Sequence, residues 1–348
     1  KWLFRKAKIT AVIDLPREAF QPHTGTKTSL VFLEKVKNPG DNYSIFMAVS
    51  EAVGHDRRGN PIYRKDDSGK ILKGDNGEPV IWNDLPDIVE QWQNFQKGVS
   101  LESDNPSCFS IDADTIKADP SFRIDAWYWD SGKNDLAKSL MDDTGEEIVD
   151  VVNLGDLVVE YGGIFYPSRH KRNYVSRSHK SLPFYSGTQI LQVRPFDVKY
   201  QPKDYAAAVN HVVRKDWILI TRSGSTGRVV MVDDSLDGSM VTEHVIRVII
   251  DESLIDPYYV YAFLASENMG KVLMQKGIYA SVVDHISPDF VSTLPIPRLD
   301  PLEEAKIARS VRCAEERRTE ANEVLNDSMG SIEALISSAT GVSFDDYS

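Results

Sequence analysis

Thirteen residues, Ser168-Arg169-His170-Lys171-Arg172-Asn173-Tyr174-Val175-Ser176-Arg177-Ser178-His179-Lys180, hold five cations, two imidazoles, an amide and an aromatic ring. Clustered cations neutralise phosphates, while interleaved amides and hydroxyls reach sugars and base edges. An arginine fork matches guanine and an asparagine amide matches adenine. Arg169, Lys171, Arg172, Asn173, Arg177 and Lys180 are therefore candidate nucleic-acid contacts. The competing reading is a solvated loop whose cations offset the acidic segment before it. A second group, Thr221-Arg222-Ser223-Gly224-Ser225-Thr226-Gly227-Arg228, joins small residues that let backbone N–H groups approach an anion to two arginines. It lacks the Gly-Lys-Ser/Thr of a nucleotide-binding loop, and a plain hairpin turn is its alternative. Arg222, Ser223, Ser225 and Arg228 join the candidates, with Tyr279 and Ser281 of the Lys276–Ser281 turn as weaker additions.

No self-sufficient catalytic, cofactor-binding or metal site is evident. Asp256-Pro257-Tyr258-Tyr259 is superficially like the Asp/Asn-Pro-Pro-Tyr tetrapeptide of amino-group methyltransferases, but its second proline is missing. Asp256 reads better as a helix N-cap, with Pro257 at the first helical position. The seven histidines form no His-x-x-x-His pair, and no Gly-x-Ser-x-Gly elbow occurs.

The 348-residue chain carries a net charge of −12, which on average opposes nucleic-acid binding. Its distribution is uneven. Residues 161–231 hold twelve cations against three acids, a net +9, whereas residues 101–160 are net −11. No apolar run is long enough for a membrane span, no signal peptide is evident, and Cys108 and Cys313 suggest no disulfide framework. A reducing cytoplasm is the expected compartment.

Patterning predicts the elements that position these groups. Ile9–Ile13 and Ser29–Leu33 read as two strands of a sheet whose other strands are missing or lie elsewhere. Three Gly/Asp/Asn clusters between residues 54 and 77 predict small hairpins, and residues 84–96 a helix. Strands are expected at 156–160, 189–193, 217–222, 229–232 and 244–250, with helices at 257–266 and 269–277. From Pro301 to about Ile336, Ile307, Val311, Ala314, Arg318, Ala321, Leu325, Ser328, Ile332 and Leu335 follow a heptad pattern.

Two stretches carry a family resemblance. Ile9-Thr10-Ala11-Val12-Ile13-Asp14-Leu15-Pro16, Phe20 and Thr24-Gly25-Thr26-Lys27-Thr28-Ser29-Leu30-Val31-Phe32-Leu33-Glu34-Lys35 resemble the closing strands of N6-adenine DNA methyltransferases. These are the modification subunits of type I restriction–modification systems and their fused relatives. Ile45–Val49 and Gly54–Gly59 are similar to the segment that follows. From Phe122 to Ile336 the chain looks like a type I specificity-subunit domain. The similar pieces are Gly187–Ile190, Ile218–Gly227, Asp256–Leu264, His285–Phe290, Leu294–Pro297 and Glu303–Ala308.

The resemblance implies an α+β chain: the tail of an α/β methyltransferase sheet (1–100), an acidic linker (101–121), a sheet-rich target recognition domain (122–300) and a long packing helix (301–340). The implied role is sequence-specific recognition of double-stranded DNA in a restriction–modification or related phage-defence system. Implied partners are an upstream methyltransferase half or modification subunit, a nuclease subunit, and a second copy through the helix. S-adenosylmethionine belongs to the full-length parent, because its glycine motif and the catalytic tetrapeptide normally lie upstream; the chain alone is expected to be inactive. The alternative is an assembly module of a methyltransferase complex without DNA specificity of its own.

Overall fold

The computed structural model describes residues 2–37, 42–101, 103–104, 106–119, 122–130, 150–278 and 285–341. It is an α+β structure in two compact units, whose described residues are 2–130 and 150–341.

The first unit is built on a five-stranded sheet of order β2-β1-β3-β5-β4: β1 (Lys8–Leu15), β2 (Thr28–Glu34), β3 (Ser44–Val49), β4 (Ser103–Asp104) and β5 (Ser107–Asp112). β1 and β2, both expected as strands, pair antiparallel, and β3 lies parallel to β1. A strand buried on both faces needs an unbroken apolar run, which Ile45-Phe46-Met47-Ala48-Val49 supplies. Phe46 and Ala48 pack with Ile88 of α1 (Leu85–Gln96), whereas Ile45, Met47 and Val49 pack with α2 (Ala113–Ala118) and α3 (Ala126–Trp129). β2 is different: Leu30, Val31, Phe32 and Leu33 are all exposed, and β2 is the outer strand of the sheet. The polar stretch after β3 forms the expected small hairpins, with bridges His55–Pro61, Lys65–Ile71 and Lys73–Pro79. In the first of them, Asp56 accepts from the Arg58 and Asn60 amides, and Gly59 takes the left-handed conformation the turn requires (φ 83°).

The acidic stretch read as a linker is instead part of this unit. β5 is hydrogen-bonded to β3, and Ala113, Ile116, Ala126, Tyr128 and Trp129 lie in its core. High charge misled because these short elements need only one apolar face, and their carboxylates occupy the other. The boundary therefore falls after residue 130, not at 121/122.

The second unit contains β6 (Asp150–Asn153), β7 (Ile164–Phe165), β8 (Ser181–Tyr185), β9 (Lys199–Pro202), β10 (Ile218–Thr221), β11 (Val229–Met231), β12 (Met240–Val241), β13 (Val245–Val248) and β14 (Pro295–Arg298). They form sheets of order β11-β10-β13-β7, β12-β8-β9 and β14-β6. The strands expected at 156–160 and 189–193 are absent; 3-10 turns occupy Leu154–Leu157 and Gln189–Leu191. Helices α4 (Pro257–Ala265), α5 (Gly270–Lys276) and α6 (Pro288–Ser292) contribute to the main core. Asp256 caps α4 as expected, accepting from the Tyr258 amide at 2.8 Å.

Helix α7 (Pro301–Thr340) realises the long helical pattern with a different phase. Its inward line is Glu304, Ala308, Val311, Glu315, Thr319 and Asn322, whereas Ala314 and Ala321 are exposed. The 3.6-residue turn, rather than a 3.5-residue heptad, sets that line, and polar partners fill it. Arg298 binds Glu304, Tyr261 donates to Glu315, and Thr319 donates to Asp233. Beyond Asn322 the apolar stripe Leu325, Met329, Ile332 and Ile336 is exposed. Among the described residues, no helix is long and apolar enough to cross a membrane.

Candidate nucleic-acid interface

Strand pairing brings the sequence candidates toward one sheet end. β10 and β13 run antiparallel with Thr221 opposite Val245, so Arg222-Ser223 leaves the sheet where Glu243-His244 enters it. β7 pairs with β13 through Phe165 and Arg247, so Tyr166 and the basic loop after it emerge at that same end. Arg222 N–H donates to the His244 carbonyl at 2.8 Å, and the Ser223 hydroxyl lies 2.8 Å from His244 Nδ1.

Glu243 is the hub, and its side chain is only 7% exposed. Arg172 donates to its Oε2 and also reaches the Thr242 hydroxyl, while its guanidinium lies over the Phe184 ring. Arg169 Nε is 4.0 Å and His244 Nε2 3.8 Å from Oε1. Burial pushes the Glu243 carboxyl up, but hydrogen bonds from Arg172 and Thr242, with the Arg172 charge, outweigh it and hold the group at about 2. Ser223, His244 and Glu243 thus follow the order of a hydrolytic triad without its geometry. The carboxylate is committed to Arg172, and 3.8 Å is too long for the orienting hydrogen bond a base would need.

Behind this cluster, His170 Nδ1 meets His211 Nε2 at 2.9 Å, and His170 Nε2 meets Gln201 Oε1 at 2.8 Å. His211 and Gln201 are fully buried. Burial lowers the His211 pKa and so favours its neutral imidazole, and the two rings brace the start of the loop. Fully buried Arg247 holds the 241–245 corner through the carbonyls of His211, Val241, Thr242 and Val245.

The loop candidates consequently divide. Arg169, Lys171, Asn173, Arg177 and Lys180 are exposed, and Arg169 is 88% so. Arg172 is not a surface contact: it faces inward, because the buried Glu243 carboxylate demands a cation. Arg177 lies above the Tyr200 ring, and the Lys171 carbonyl accepts from the Tyr205 hydroxyl. In the turn, the Ser225 carbonyl accepts from the Thr221 hydroxyl, Ser225 and Arg228 are exposed, and Gly224 and Gly227 supply the left-handed residues. Tyr279 and Ser281 lie outside the described residues. Sequence reading missed Glu243, His244, His170, Gln201, His211, Tyr166 and Arg247. Only Arg247 signals itself, as a charge inside the apolar run Val245–Ile250.

Linkage fixes the pH behaviour of the hub. Because the folded pKa of Glu243 lies below its ordinary 4.5, its stabilising contribution is present above about pH 4.5 and is lost as pH falls toward about 2. Glu243→Gln should flatten this acid limb in thermal midpoints measured from pH 2 to 5; an unchanged limb would assign it to other carboxylates.

Comparison with known proteins yields no matching family model and no matching curated protein. Among solved structures, the chain is similar to the type I restriction–modification S subunit of M. genitalium: 13% identity, TM-score 0.40, 54% of this chain and 45% of that one. It is similar to the HsdS subunit of Thermoanaerobacter tengcongensis at 12% identity and TM-score 0.37, over 57% of this chain and 45% of the other. The type IIG restriction endonuclease BpuSI is similar at 7% identity and TM-score 0.38, over 89% of this chain and 39% of its own. The chain matches less than half the length of each of these three.

Proposed function

We propose that the second unit is a double-stranded DNA target-recognition module of an adenine-N6 methyltransferase of the restriction–modification kind, which positions the catalytic half on its site. The observation that carries this reading is the sheet end where exposed Arg169, Lys171 and Asn173 surround an inward Arg172–Glu243 anchor beside Arg222 and Ser223. A solvated loop needs no such anchor. A surface that must hold cations in register against phosphates does. The acidic surplus lies largely in residues 101–160 and leaves the 161–231 segment net positive.

In this proposal the first unit is the tail of the methyltransferase sheet. The uncovered apolar strand β2 supports it, since an edge with Leu30 to Leu33 exposed calls for a neighbour from the modification half. S-adenosylmethionine would be held by that half, which would also flip the target adenine out of the duplex. The residues described here present no glycine motif for the cofactor, and their work is to bind and orient DNA. The exposed stripe Leu325, Met329, Ile332 and Ile336 of α7 would pack on a partner helix, from a second copy or a modification subunit.

The test is selection of duplexes from a randomised pool by the full chain at two salt concentrations. Enrichment of a short motif that survives higher salt is the expected result. Salt-sensitive binding without a motif would reduce the chain to a nonspecific clamp. No binding at low salt would assign the basic loop to a protein partner.

A further inference from the structure

The arginines of the second unit differ in how they are held. Arg172, Arg298, Arg312 and Arg318 are each paired with a carboxylate, and Arg247 is consumed by backbone carbonyls. Arg228 is exposed. Arg222 combines a fixed position with the lack of an ion-pair partner among the described residues, and its guanidinium is not consumed by carbonyls as that of Arg247 is. Its backbone is pinned on both sides, the N–H donating to His244 and the carbonyl accepting from Ile286 N–H. Its guanidinium carbon lies 4.0 Å from the centre of the Tyr166 ring, and Tyr166 is itself partly exposed. Its Nε is buried with no hydrogen-bond partner.

A guanidinium stacked on an aromatic ring has lost most of its rotamer freedom before any ligand arrives, so little more is lost on binding. With Nε turned inward, Nη1 and Nη2 form the edge able to meet a ligand. A rigid fork of two parallel donors matches two acceptors in one plane, the pattern of guanine O6 and N7 in the major groove. A phosphate sets no single plane of acceptors, so on an anchored loop the exposed side chains of Lys171 and Lys180 meet it without stacking of their own.

Resting on the target-recognition reading above, we infer that Arg222, held by Tyr166, is a base-reading residue specific for guanine at one position of the site. Arg169, Lys171 and Lys180 serve the backbone.

Duplex selection with wild-type chain, Arg222→Ala, Arg222→Lys and, as a control, Arg309→Ala on the exposed face of α7 tests this, with thermal midpoints measured for each. The wild-type motif should contain a guanine whose preference falls roughly 5- to 150-fold in Arg222→Ala, the range for one bidentate pair. Other positions should keep their preferences, and Arg309→Ala should retain the full motif. Arg222→Lys keeps the charge without the planar fork, so the salt slope should stay while the guanine preference weakens; it serves also if the alanine variant does not fold. A motif unchanged in both Arg222 variants would overturn this inference alone, and so would a uniform loss of affinity across all sequences with a smaller salt slope. A wild-type chain that selects no motif would overturn this inference and the target-recognition reading together.

Discussion

Arg247→Ala should destabilise the second unit by about 4 kcal/mol, a fall in thermal midpoint of about 10 °C for a unit of this size. The side chain is fully buried, and its guanidinium donates to four carbonyls, at 2.5 Å to Val241, 2.6 Å to Val245, 3.0 Å to Thr242 and 3.3 Å to His211. Removing it takes one donor from each of these acceptors and opens a cavity; the Val241 carbonyl keeps His211 Nδ1 at 3.0 Å and the Thr242 carbonyl keeps the Val245 N–H at 3.3 Å, so Val245 and His211 lose most. Each buried unsatisfied acceptor costs roughly 1–3 kcal/mol, and water entering the space offsets part of that. Burial already lowers the pKa of this guanidinium to about 9, with Glu243 acting in the opposite direction. Arg247→Met tests the division between volume and donors: it refills much of the space and should recover less than half of the loss. A midpoint change under about 2 °C in Arg247→Ala would show that the corner rearranges freely around the missing donors. The consequence for binding is direct, since the carbonyls Arg247 holds flank Glu243-His244, the pair that anchors both the basic loop and the Arg222 turn.

Elements set by local pattern were legible. Ile9–Ile13 and Ser29–Leu33 became an antiparallel strand pair, Asp256-Pro257 became a helix start, and the Gly/Asp clusters became hairpins. What escaped depends on residues far apart in sequence. Arg172 and Glu243 are 71 positions apart, and His170 and His211 are 41 apart. Composition counts Arg172 as one more cation of a basic loop, since nothing local distinguishes it from Arg169 or Lys171. The phase of α7 was hidden for a related reason. Its inward line includes Glu304, Glu315 and Thr319, which a hydrophobic template rejects and which become acceptable only through Arg298, Tyr261 and Asp233. The acidic 101–121 stretch shows the same blindness, because net charge reports the outward face of a strand and ignores the inward one.

Within one short run of the basic loop, two variants should separate anchoring from contact. Arg169→Ala with Lys171→Ala removes two exposed cations, of which Arg169 approaches the buried Glu243 carboxylate at 4.0 Å, too far for a hydrogen bond. The thermal midpoint should hold, while the slope of log affinity against log salt falls by about two, with a loss of about 10- to 100-fold in affinity at moderate salt. Arg172→Ala should do the reverse. It strands the Glu243 carboxylate, 7% exposed, with Arg169 and His244 at 3.8–4.0 Å as the remaining positive neighbours. Breaking a buried pair in this way costs about 3 kcal/mol, and the slope should change by less than one in the fraction that remains folded. Equal flattening by both variants would mean that Arg172 leaves Glu243 to meet a phosphate, and that the anchor is dispensable once DNA is bound. If only the exposed pair flattens the slope, the loop works as a cationic surface set in place by one buried carboxylate.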